Sequence, residues 1–227
     1  MSLKLSETLF PLLSELKQNN NREWFAENKS RFQDEDKSLK LFFNEITNKL
    51  NTFDEIERVK IFRIYRDVRF SKNKLPYKTN RSANWMRAGA HRRGSYYLQL
   101  EPGNSFLGCG FFQPNAADLL RVRKEFEMDD TEIRAILNEP AFKKAFGGFD
   151  TSDQVKTAPK GFDKEHKTID LIKNKNFFVA HYFSDKEVLS SDFLEKVVQH
   201  FELVQPFFKY MSDVLTTDLN GVSLLDS

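Results

Sequence analysis

The sequence predicts an α+β fold, an antiparallel or mixed central sheet flanked by N-terminal and C-terminal helices. Three observations predict it. Apolar residues over roughly the first 55 positions recur at helical 3/4 spacing, the period then shortens to two across the middle, and it returns to helical spacing in the tail. The β–α–β alternation of a doubly wound sheet is missing.

The elements follow in order. Leu9, Leu12, Leu13 and Leu16 form an apolar stripe, with Ser6 or Thr8 as a cap and Pro11 in the first turn, and the run Asn19, Asn20, Asn21 stops it. A second helix begins near Arg22 and carries Trp24, Phe25, Asn28 and Phe32. A third carries Leu39, Phe42, Phe43, Ile46, Leu50 and Phe53 on one face. Strands are expected at 60–66, 95–101 and 106–112, the last two joined by the turn Pro102, Gly103, Asn104. Asn115, Asp130 or Thr131, and Pro140 then open three helices, the last ending at Gly147 and Gly148. A short helix near 168–173, a strand at 176–183 and one long tail helix complete the chain. In that tail Asp192 and Glu195 have capping-box spacing, and Pro206 predicts a kink.

The bulk numbers bound the protein class. At 227 residues, 40% hydrophobic and 30% charged, the length fits one large domain or two small ones. The 23 Phe, against six Tyr and two Trp, are read as composition rather than as ligand-stacking groups. A single Cys excludes an internal disulfide framework. No apolar run is long enough for a membrane span, and the first residues lack a signal-peptide core, so a cytoplasmic protein without a membrane partner is expected.

Charge is distributed unevenly. Residues 61–94 carry seven Arg and three Lys against the single acid Asp67, a local +9; the whole chain is +2, so the remainder is −7. Like charges crowded together need an anion to offset them. The centre, RIYRDVRFSKNKLPYK at 63–78, interleaves cations with aromatics and hydroxyls. Arg63, Arg66 and Arg69 offer bidentate guanidinium forks, Lys72, Lys74 and Lys78 offer mobile point charges, and Ser71 and Tyr77 offer hydroxyl donors. Asp67, and Glu101 from the hairpin, are the candidate catalytic carboxylates; Glu23 or Trp24 are further candidates for the site. The alternatives are a solvated basic surface, or Arg side chains paired internally with acids.

Other motifs are weaker. Trp85 with Arg87, Arg92 and Arg93 forms an Arg-rich, Gly-containing loop that suits a nucleic-acid backbone, without any helix-turn-helix, zinc-finger or RRM signature. His91, His166, His181 and His200 are scattered, with no metal-ligand spacing. No metal or other cofactor is expected. Cys109 lies in a strand pattern and reads as a small buried filler. The turn around Pro159 and Gly161, with Lys156 and Lys160, is a second cationic loop or a plain connector. No nucleotide or dinucleotide fingerprint occurs.

Together, NNREWF at 20–25 with Asn28 and Lys29, RIYRDVRFSK at 63–72 with PYKT at 76–79, YYLQLEPG at 96–103, FLG at 106–108 with Gly110 and Pro114, and APKGF at 158–162 resemble the bacterial and fungal domain-of-unknown-function family numbered 2461. The resemblance covers nearly the whole chain and implies a single domain over 1–227. It implies no activity and leaves open whether the protein is an enzyme. Asn73 stands where the family often has Asp, so no carboxylate is carried over to that position. The expected partner is an anionic small molecule, phosphorylated or carboxylated; the alternatives are a nucleic-acid-binding module using the same basic surface and a non-enzymatic structural or interaction protein, and the oligomeric state is unassigned.

Overall fold

The structure, a computed structural model, describes residues 3–225. Its elements are α1 (Leu9–Gln18), α2 (Arg22–Leu50), β1 (Ile56–Ile61), β2 (Arg81–Arg87), β3 (Ser95–Leu100), β4 (Ser105–Phe111), α3 (Ala116–Met128), α4 (Thr131–Asn138), α5 (Pro140–Phe146), α6 (Ile169–Ile172), β5 (Phe177–Phe183), α7 (Asp185–Val188), α8 (Phe193–Leu203) and α9 (Gln205–Thr216). The five strands pair antiparallel in sequence order, β1-β2-β3-β4-β5, and with the helices make the fold α+β. Contacts divide the chain into two compact units. The first runs through Trp85 and adds Tyr97–Leu107 and Tyr182–Gln199; the second holds Met86–Tyr96, Gly108–His181 and the chain from His200 onward.

In the first unit, α1 buries Leu9, Leu12, Leu13 and Leu16, as its stripe predicts. The expected cap differs. Thr8 occupies the N-cap position, but its hydroxyl and that of Ser6 donate to Glu35 on α2 instead of accepting from the first turn of α1. The two helices expected between 22 and 53 are one helix of 29 residues, capped by Asn21 accepting from the Trp24 amide at 2.9 Å; Phe53 lies beyond its end. Within the polar run 33–38 the exposed Lys37 pairs with Asp34 one turn away, while Glu35 and Asp36 are half-buried and bind Thr8 and Arg81. Phe43 meets Trp85 edge-on at 5.8 Å, and the Trp85 indole donates to the Thr47 hydroxyl at 2.9 Å. Phe42 stacks on Phe193, which meets Phe183 at 5.1 Å. Each such ring removed from water stabilises the unit by about 1.5–3 kcal/mol.

The strand expected at 60–66 is displaced. Regular pairing ends at Ile61, and the chain continues as a looser ladder: the Phe62 amide donates to the Ser82 carbonyl, the Lys78 amide to Ile64, and the Arg66 amide to Pro76, with a Tyr65–Tyr77 bridge. Pro76 supplies a carbonyl but no N–H, which interrupts the ladder there. A second difference is β2, in a stretch expected to be irregular. Ala83 and Trp85 of this strand are fully buried, so Trp85 is a core residue and offers no face for stacking a base.

In the second unit, α3, α4 and α5 start as expected, at Asn115, Asp130 and Glu139. The expected single tail helix is two, because Pro206 sits in the first turn of α9 where its missing N–H costs nothing, and α8 ends ahead of it. Tyr96 packs between Phe201 and Phe208 at 4.8 and 4.9 Å, and Gln205 donates to its hydroxyl. Gly110 has φ of +140°, and a Cβ there would come within 2.3 Å of the Phe177 carbonyl oxygen. In the first unit, Gly103 has φ of +72° in the hairpin turn, with open space around the missing Cβ.

These two glycines are expected to respond differently to Ala. Gly103→Ala meets backbone strain alone and lowers stability by about 1 kcal/mol. Gly110→Ala adds a clash with backbone and lowers it by about 3 kcal/mol or more. Urea denaturation of both variants checks the difference.

Candidate functional site

The basic loop is anchored by the start of α2. The Asn20 side-chain amide donates to the Tyr77 carbonyl at 3.0 Å, and its oxygen accepts from the Tyr77 amide at 3.1 Å. One side chain thereby mimics a neighbouring strand for Tyr77. The Tyr77 ring stacks on Phe25, with centroids 4.0 Å apart and planes 17° apart. Tyr77 is therefore a buried wedge, and burial raises its phenol pKa. It holds Pro76 and Lys78 in place on either side.

Beside this anchor lies an open cleft of about 360 Å³ lined by Arg66, Asp67, Lys78, Thr79 and Asn80. Lys78 is the perturbed cation within it. Partial burial lowers its pKa, and repulsion from Arg81, Lys60, Arg63 and Arg66 lowers it further. The ammonium groups of Lys78 and Lys60 each lie 4.9 Å from the centroid of the Phe62 ring. An aromatic face offers a cation a weak attraction, far from the compensation a carboxylate gives.

Arg81 adds a buried guanidinium, 5% exposed. Its Nη2 meets the Asp36 carboxylate of α2 at 2.5 Å, while Nε and Nη1 have no hydrogen-bond partner. Burial dominates both groups, lowering the pKa of Arg81 and raising that of Asp36. Unsatisfied buried donors of this kind are costly.

The remaining candidates are placed differently. Arg69 forms a fork with Asp67, Nε to Oδ1 at 3.0 Å and Nη2 to Oδ2 at 2.6 Å, and these bonds lower the Asp67 pKa. Asp67 thus lines the cleft as a carboxylate already engaged by Arg69. Glu101 accepts from Thr79 at 2.7 Å through Oε1, and from Gln99 and Asn104 at 3.0 and 3.1 Å through Oε2. It fixes Thr79, which lines the cleft. Lys74 turns back on its own loop, donating to the Val68 carbonyl at 3.0 Å. Lys72 is exposed, Ser71 is half-buried, and Phe70 at the loop tip is 97% exposed. Glu23 and Lys74 line a second cleft, of about 500 Å³, and Trp24 packs edge-on against Phe32.

The structure therefore brings Arg63, Arg66 and Lys78 together, with Asp67 beside them, and leaves Arg69, Ser71, Lys72 and Lys74 on the loop. Two members of the cluster were absent from the sequence-based candidates. Lys60 shares the period-2 run with Phe62, a signal that could have found it; Arg81 lay in a segment not expected to be a strand.

In the second unit the Arg-rich stretch is internally engaged. Arg87 lies over the Phe208 ring and donates to the Arg93 carbonyl, and Arg93 pairs with Asp118. His181 donates through Nδ1 to the Ala145 carbonyl oxygen at 2.6 Å, and its ring lies 4.0 Å, centroid to centroid, from that of His200. Cys109 is buried, which pushes its thiol pKa up and leaves a packing group rather than a thiolate. Among the described residues no group of three His, Cys, Asp or Glu could hold a metal ion, and no helix is long and apolar enough to cross a membrane.

No curated protein and no solved structure matches the chain. A family model described as "Conserved hypothetical protein (DUF2461)" matches residues 8–210, a span that contains the Asn20–Tyr77 anchor, the cation cluster and Glu101. The chain belongs to the DUF2461 family of conserved hypothetical proteins.

Proposed function

We propose that the protein binds a phosphorylated or carboxylated small molecule in the cleft beside Lys78. The observation that carries this is the crowding of Lys60, Arg63, Arg66 and Arg81 around Lys78 in the cleft, which together with partial burial lowers its pKa. A bound anion offsets that repulsion and supplies acceptors for the guanidinium donors. Arg66 and Lys78 contact the anion, Asn80 donates to its remaining oxygens, and Asp67 and Glu101 hold the walls through Arg69 and Thr79. Isothermal titration with inorganic phosphate at neutral pH tests this. Wild type is expected to bind, Lys78→Gln and Arg66→Gln each to weaken binding at least about tenfold, the loss of one charge-assisted contact, and Lys72→Gln to leave it unchanged. Absence of binding to wild type overturns the proposal.

One observation favours nucleic acid instead. Phe70 stands exposed at the loop tip beside Arg69 and Lys72, an arrangement suited to stacking an unpaired base. Salt dependence separates the two. A single strand held through about six phosphates gives a log–log slope near −4, since each releases about 0.7 counterion. The expected result for a labelled oligonucleotide is weak binding, because the −7 carried outside the basic stretch repels a long polyanion. Tight binding with the steep slope, lost in Phe70→Ala, favours nucleic acid.

A further inference from the structure

We propose that Lys78 is a nucleophile, its amine forming a covalent iminium with the carbonyl carbon of a small oxo acid bound in the cleft. The inference rests on the anion-binding reading above and names its substrate class: a compound carrying both a carbonyl and a carboxylate or phosphate.

A lysine that only attracts an anion works best fully charged, with a carboxylate or open water nearby. Lys78 has the opposite surroundings. Its Nζ lies against the Phe62 ring, and Lys60 from β1 lies against the same ring at the same 4.9 Å. Arg63 and Arg66 approach from the chain after β1, and Arg81 from β2. The acids in the neighbourhood are already engaged: Asp67 by Arg69, Asp36 of α2 by Arg81, and Glu101 after β3 by Thr79, Gln99 and Asn104. Desolvation and cationic neighbours both favour the neutral amine, and the same conditions activate lysine nucleophiles. Lys78 also lines the cleft with Arg66, so one residue grips the acid group while the other meets the carbonyl.

The step balances without an oxidant or reductant. The Nζ lone pair adds to the carbonyl carbon as the C=O π pair moves to oxygen. That oxygen takes one proton from Nζ and one from solvent and leaves as water. The nitrogen lone pair then closes the C=N bond, giving an iminium that still carries one N–H.

Reductive trapping tests the proposal. The full-length protein is incubated with glyoxylate and sodium cyanoborohydride, and labelled lysines are located by peptide mass mapping at several pH values. Lys78 is expected to label faster than the exposed Lys72, because its place in the cleft against Phe62 and beside Lys60, Arg63, Arg66 and Arg81 favours the neutral amine. Its rate should reach its plateau below the ordinary lysine range, and inorganic phosphate should slow it. Lys78→Arg should remove the fast site while the slow labelling of Lys72 persists. Equal rates at Lys78 and Lys72, or fast labelling at Lys60 alone, overturn the proposal. If phosphate nevertheless binds in calorimetry, only the nucleophile is wrong; if phosphate does not bind, the underlying reading falls as well.

Discussion

The clamp on Tyr77 organises the region on which the candidate site depends. Asn20 satisfies both backbone groups of Tyr77, and Phe25 takes its ring, so the residue is held by the first turn of a 29-residue helix. Lys78 follows directly, and its own amide is bound to the Ile64 carbonyl. Without that clamp the chain from 67 to 80 would be free to swing its cations apart into water. With it, Lys78 is kept beside Arg66 and against Phe62, and the repulsion that solvent would otherwise relieve is retained.

Two devices take up part of the +9 of residues 61–94. Arg69 and Arg81 are paired, with Asp67 and Asp36. Arg87 and Arg93 spend their donors on a carbonyl, a hydroxyl and Asp118 in the second unit. What remains at the cleft is Arg63, Arg66 and Lys78, joined by Lys60 from outside the stretch. Internal pairing thus accounts for part of the excess charge, and the proposed anion site draws on the part left over.

Much of the fold was readable because its elements are marked by local chemistry: the Pro102–Gly103 turn, the Asn115 cap and the Gly147 stop each act within a few residues. The errors arose where distant residues decide. The single helix α2 hides behind a polar run, although Phe25, Phe32, Leu39 and Ile46 repeat at seven-residue spacing on its buried side. β2 hides behind charge, because Arg81 counts as an interior residue only once Asp36, on another element, pairs with it. Charge density singles out the segment whose Arg66, Asp67 and Lys78 line the cleft, but not which of its cations gather there. Lys74 and Arg69 look equivalent to Lys78 in sequence. The loop's own carbonyls and Asp67 capture them, while Lys78 lies against Phe62 and four cations.

The most direct test of the account is the ionisation of Lys78, followed by NMR of the selectively labelled side chain with and without phosphate. In the free protein its folded pKa lies below the ordinary lysine value, so the unfolded chain binds more protons between the two values and stability rises with pH across that window. The account predicts a lowered pKa that moves upward when phosphate binds, as the anion stabilises the ammonium. An ordinary lysine pKa, unmoved by phosphate, would contradict it.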